Sequence, residues 1–210
     1  MLTKKLYKTT LVAMLVSSTI AYANPAFNIG LTANVSTYST NVDHLHNDMH
    51  NYWYHTPDII ICESANISKN RVQDAVNFWK DKGFKLGKVM LEKESSKKCP
   101  TKVGQEHSME NYIFITKDMT GMSGKSWGAT QRYYDWCNSM YSNHENHCLS
   151  GQGRHSYVVS AHIEISDDVQ ERHLNPTSLV AHELGHALGF SHVSDYTDIM
   201  SGRSTGYAAY

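Results

Sequence analysis

The stretch Leu179–His192, L-V-A-H-E-L-G-H-A-L-G-F-S-H, limits what this chain can fold into more than any other. His182 and His186 stand four apart, so a helix brings both rings onto one face, one turn apart, within reach of a single metal ion. Glu183 follows the first of them directly, where its carboxylate can reach a water on that metal without being a ligand. Gly189 interrupts the helical run. A glycine there can turn the chain back in a left-handed conformation and bring in His192 as a third nitrogen. Three histidines leave a fourth position open, as in catalytic rather than structural zinc sites. A bare H-E-x-x-H also occurs by chance in proteins that bind no metal, and Gly189 with His192 extends it past that shorter pattern.

H-E-L-G-H-A-L-G-F-S-H resembles the extended zinc motif of the metzincin metallopeptidases, and among them most the matrixins. The resemblance implies one catalytic zinc on His182, His186 and His192, with Glu183 as general base. It also implies a methionine turn beneath the metal, which D-I-M-S at Asp198–Ser201 supplies, with Met200 following His192 at the family's distance. The implied fold is α+β and zincin-like: a mixed twisted sheet of about five strands with two long helices on one side, one carrying the zinc motif. The implied activity is peptide-bond hydrolysis, the zinc activating a water whose proton Glu183 takes and returns to the leaving amine. The substrate would be a polypeptide lying extended and antiparallel along an edge strand within Trp127–Asp135. Tyr133, Tyr134 and Trp136 read either as cleft residues or as sheet packing.

The likeness in element order covers roughly Pro57 to Met200, and only the zinc motif and the methionine turn are specific at residue level. Two departures stand out. Only a short tail follows Met200, so the wall of the specificity pocket is expected to be short or built differently. Some metzincins place a tyrosine two residues past the methionine; here that position is Gly202, and Tyr207 lies further on.

Residues 1–23 read as an export signal: Lys4, Lys5 and Lys8, an apolar run from Leu11 to Ile20, then Ala21-Tyr22-Ala23 as a cleavage pattern. Residues 24–56 read as an N-terminal extension or short propeptide, and 57–210 as the catalytic domain. The extension has no cysteine to block a zinc; Asp43 or Asp48 could do so by another route. The protein is expected to be secreted or periplasmic, monomeric, and off the membrane once the signal is removed. The whole chain has 19 basic and 20 acidic residues, and losing the signal removes three lysines. An acidic chain with scattered lysines such as Lys93, Lys97 and Lys98 offers no groove for nucleic acid.

Four cysteines in an exported chain predict two disulfides, with Cys62–Cys99 and Cys137–Cys148 preferred among three pairings. Asp167, Asp168, Asp195 and Asp198 leave structural calcium open, although none fits an EF-hand loop; Asp195 and Asp198 could instead fix the loop before Met200. His155 or His162 could in principle hold a second zinc, against the simpler reading of hydrogen-bonded histidines.

The predicted order is a strand at D-I-I-I-C-E, a helix over Arg71–Lys80 capped by Asn66 or Ser68, and strands at Phe84–Leu91, Asn111–Thr116, Ala129–Cys137 and His155–Ser166. The zinc helix follows, capped by Asn175 or Thr177 with Pro176 in its first turn. Two other functions fit the same motif: a zinc amidase or peptidase acting on cell-wall or small peptides, and a non-catalytic zinc-containing binding protein. Glu183 argues against the second, since a structural site has no use for it.

Overall fold

The computed structural model describes residues 20–22, 53, 55–102, 109–117, 127–137, 155–166, 176–195 and 197–201. Among the described residues, six strands and two α-helices follow one another as β1 (Ile20–Tyr22), β2 (Asp58–Ile61), α1 (Lys69–Asp81), β3 (Val89–Leu91), β4 (Tyr112–Lys117), β5 (Gly128–Cys137), β6 (His155–Ile165) and α2 (Pro176–Ala187). The strands form one mixed sheet in the order β1-β5-β6-β4-β2-β3. β3, β2, β4 and β6 run parallel, and β5 and β1 run antiparallel to their neighbours. The α+β class, the mixed sheet and the two helices agree with the sequence expectation. Strands β2 to β6 are the expected five. β1 comes from the stretch read as an export signal and lies outside β5.

The core follows from side-chain periodicity. On α1, Val72, Ala75, Val76 and Trp79 recur at helical spacing and are fully buried, each worth roughly 1.5–3 kcal/mol apart from the smaller Ala75. They meet Ile59, Ile61, Ile113, Ile115, Ala161 and Ile163, the alternate residues of β2, β4 and β6, together with Leu179, Val180 and Leu184 of α2. Both helices therefore pack on the same face. Ile60, Cys62 and Phe114 point to the opposite face and form a smaller cluster. This explains why D-I-I-I reads as one unbroken apolar run: a central parallel strand is buried on both sides.

Ser68 is the N-cap of α1, its Oγ accepting from Arg71 N, whereas Asn66 takes a left-handed φ of 48° after a short 3-10 turn. The strand expected over Phe84–Leu91 shrinks to Val89–Leu91. The intervening backbone is committed elsewhere: Phe84 N donates to Trp79 O at 3.1 Å, Gly87 N to Pro57 O at 2.8 Å, and Lys88 N to the Asp58 carboxylate at 2.7 Å. The chain crosses the end of β2 before it can join the ladder. α2 begins at Pro176, so Thr177 lies inside the helix rather than capping it. Cys62 and Cys99 form the expected disulfide. The Cys137–Cys148 pairing lies outside the described residues. No described helix is long and apolar enough to cross a membrane.

Candidate metal centre

α2 carries His182 and His186 one turn apart and then ends in a tight hydrogen-bonded turn. Phe190 N donates to Gly185 O at 2.9 Å and Gly189 N to His186 O at 3.0 Å, and Gly189 sits at φ 106°. This is a Schellman-type stop, with the left-handed position taken by the residue that tolerates it best. Phe190 then stacks on Trp79 with ring centroids 4.9 Å apart, which fixes the direction of the returning chain. The turn delivers His192. The three Nε2 atoms stand 3.1 Å from one another in every pairing.

The second ring nitrogens decide what that convergence means. His182 Nδ1 donates to Ile199 O at 2.6 Å, and His186 Nδ1 donates to Phe190 O at 2.8 Å. Donation from Nδ1 leaves each Nε2 of a neutral ring as a bare lone pair. Burial favours that neutral form: it lowers His182 to about 3, takes His186 well below the ordinary imidazole value, and lowers His192 as well. Lone pairs packed this closely repel unless a cation lies among them. Nitrogens bound at zinc's usual distance in a tetrahedral site stand about 3.3 Å apart, close to the spacing here. The group of His182, His186 and His192 thus fits a metal ion, and the carbonyl contacts are those that orient histidine ligands.

Glu183 is fully buried one residue after the first ligand. Its Oε2 lies 2.6 Å from the hydroxyl of Thr130 on β5, while Oε1 has no hydrogen-bond partner among the described residues. Burial raises the carboxyl to about 8, and the Thr130 hydrogen bond opposes the shift. Gly128, two residues before Thr130 and on the same face of the strand, leaves room for the carboxylate: a Cβ there would lie 2.5 Å from Oε1. A buried carboxylate oxygen without a hydrogen-bond partner among the described residues, on the helix of His182 and His186, is what a proton-transfer role needs.

Met200, in the turn that follows His192, is fully buried, and a Cβ on Gly185, directly before His186, would strike its sulfur. Asp198 accepts from Met200 N at 2.7 Å, Asp195 accepts from Thr197 N at 2.8 Å, and Val193 N donates to Met200 O at 2.9 Å. The two aspartates do fix this loop locally. Two indoles steady the helix itself: Trp79 donates to Ala181 O at 2.7 Å, and Trp53 donates to Ala187 O at 2.8 Å.

Other candidates lie elsewhere. Tyr133 is buried, and strand alternation from Thr130 turns it away from α2, which leaves sheet packing as its role. His162 is buried on that same far face, with Nε2 2.7 Å from Thr116 Oγ1; it is a hydrogen-bonded histidine and not part of a metal group. Among the described residues, the one other group with ligand spacing is Cys62, Glu92 and Cys99, whose two sulfurs are already bonded to each other. Asp43, Asp48, Asp167, Asp168, Gly202, Tyr207 and the side chains of Trp136 and His155 fall outside the described residues. Sequence reasoning missed Thr130, Gly128, Trp53 and the part Trp79 plays at α2. The i, i+2 spacing of Gly128 and Thr130 put them on one strand face, but nothing local said which helix that face meets.

No family model, no curated protein and no solved structure matches this chain.

Proposed function

We propose that this protein is an exported, zinc-dependent endopeptidase of the metzincin kind. The observation that carries the reading is the convergence of three neutral imidazole nitrogens on the helix and turn that also bear Glu183. His182, His186 and His192 would hold the metal, and the carbonyls of Ile199 and Phe190 would keep two of the rings aimed. Bound there, zinc would supply Lewis-acid polarisation of a peptide carbonyl and acidify a water. Glu183 would take a proton at Oε1 and return it to the leaving amine, while Oε2 stays on Thr130. The outer edge of β5 would pair with an extended substrate through backbone hydrogen bonds. Ile20–Tyr22 pair there, with Ala21 opposite Thr130, so removal of the export signal would free that edge.

The test is cleavage of casein and of a broad peptide library by the zinc-loaded protein, with and without chelator, beside Glu183→Gln. The expected result is chelator-sensitive cleavage by the parent and none by Glu183→Gln, with zinc bound in both. Cleavage confined to cell-wall peptides would replace this reading with the amidase. No cleavage by protein carrying stoichiometric zinc would leave a non-catalytic zinc-binding protein.

A further inference from the structure

We infer that Thr130 is the positioning residue of Glu183: its hydroxyl fixes which carboxylate oxygen is held and which is left free. The catalytic side of this inference rests on the peptidase reading above; the contact itself does not. Thr130 lies in the middle of β5, opposite Ile163 of β6, and is almost wholly buried. Its Oγ1 is 2.6 Å from Glu183 Oε2 and 3.0 Å from Glu183 O, so one hydroxyl touches the side chain and the main chain of the same residue. The shorter contact, to Oε2, ties the carboxylate to a buried strand position, and Glu183 O lies within reach of the same oxygen.

A hydroxyl suits this position better than any other small group. It has one proton and two lone pairs. It donates to Oε2 while Glu183 is a carboxylate. Its single proton can reach Oε2 or, by rotation of the hydroxyl alone, Glu183 O, with no heavy atom moving. Threonine is β-branched and has few χ1 choices in a strand, so the oxygen is preset. Gly128 completes the bracket on the same strand face, because any side chain there would run into Oε1, Cδ and Cγ of Glu183. A glycine inside a strand weakens it and commonly marks such a close approach. Together, Gly128 by its lack of a side chain and Thr130 by its hydroxyl hold the carboxylate in one orientation.

Thr130→Val keeps the shape and the β-branch and removes the hydroxyl, and Thr130→Ser keeps the hydroxyl. The first readout needs no turnover. In zinc-loaded protein labelled with 13C-glutamate, the Glu183 carboxyl resonance is identified as the one missing from Glu183→Gln. It should shift clearly in Thr130→Val and stay near its parent position in Thr130→Ser. An unmoved resonance in Thr130→Val would overturn the inference whether or not the protein cleaves peptides. The second readout is kinetic. Thr130→Val should lower kcat on the order of 10- to 100-fold, less than the roughly 10²- to 10⁴-fold that a general base contributes in full, with KM and zinc content little changed, and Thr130→Ser should restore most of it. Equal kcat in parent and Thr130→Val, or a loss that appears only in KM, would overturn the positioning role. A resonance shifted in Thr130→Val, together with a parent protein that cleaves nothing, would support the contact and sink the peptidase reading instead.

Discussion

Met200 lies against Gly185 so closely that a single methyl group on the glycine would overlap its sulfur. The same methyl would sit 2.7 Å from Cζ2 of Trp79. The helix between His182 and His186 thus rests directly on Met200 and on the indole of α1, with no spare volume. Gly185→Ala, which would favour an isolated helix by about 1 kcal/mol, should here destabilise the protein. Overpacking of this kind costs about 1–3 kcal/mol. Thermal unfolding of the zinc-loaded variant should show a lower midpoint, and zinc affinity should fall because His182 and His186 flank the displaced turn. An alanine variant as stable as the parent would show that Met200 does not support the helix.

Metal removal should destabilise the protein. The three Nε2 lone pairs face one another at 3.1 Å, and two of the rings are kept from turning away by Nδ1 bonds to main-chain carbonyls. Zinc at 100 times its Kd should stabilise the fold by about 2.7 kcal/mol. His186→Ala should abolish that gain, and the zinc-free variant should also lose the Nδ1 bond to Phe190 O and the packing of the ring. Calorimetry with and without chelator reads both effects. A parent whose midpoint ignores zinc would sink the metal assignment.

Trp79 Nε1 donates to Ala181 O across 102 positions of sequence, in a buried setting. Trp79→Phe keeps an aromatic ring against Phe190 and Phe84 but removes the donor and part of the packing. The hydrogen bond alone is worth about 0.5–1.5 kcal/mol net, and the smaller ring adds a cavity. The expected loss is roughly 1–3 kcal/mol by urea unfolding. Trp53→Phe, which removes the donor to Ala187 O from a half-buried ring, should cost less. The reverse order would mean that Trp53 and not α1 holds α2.

What could be read from the sequence was what depends on near neighbours. The spacing of His182 and His186, the left-handed turn at Gly189 and the loop from Asp195 to Met200 are all settled within a few residues. Each appears in the structure as expected. The partners that complete the site come from far along the chain. Thr130 meets Glu183 only because β5 lies beside β6 and α2 packs on that face, and neither fact is written near Thr130. The strand misplaced at Phe84 failed for the same reason. Its local pattern was sound, but Pro57 and Asp58 take the backbone N–H groups that a strand would have used.

The metal-free protein should be most stable near pH 6.5, with a slope on each side. Burial holds His182 to about 3 and lowers His186 and His192 too. Below about 6.5 the unfolded chain binds protons that these folded histidines refuse, so their contribution is lost as pH falls. Glu183 works in the other direction. Its folded value is raised from 4.5 to about 8, so the folded form keeps a proton that the unfolded chain gives up, and this contribution is lost as pH rises from 4.5 to 8. Between 4.5 and 6.5 three histidines outweigh one carboxyl, and stability rises with pH. Above 6.5 only Glu183 acts among these groups, and stability should fall by roughly 1 kcal/mol per pH unit. Urea unfolding in chelator at pH 5, 6.5 and 8 would trace both limbs. Glu183→Gln should flatten the alkaline limb and keep the acidic one. A parent protein whose stability climbs through pH 8 would mean that Glu183 is ionised in the metal-free fold and more hydrated than the structure places it.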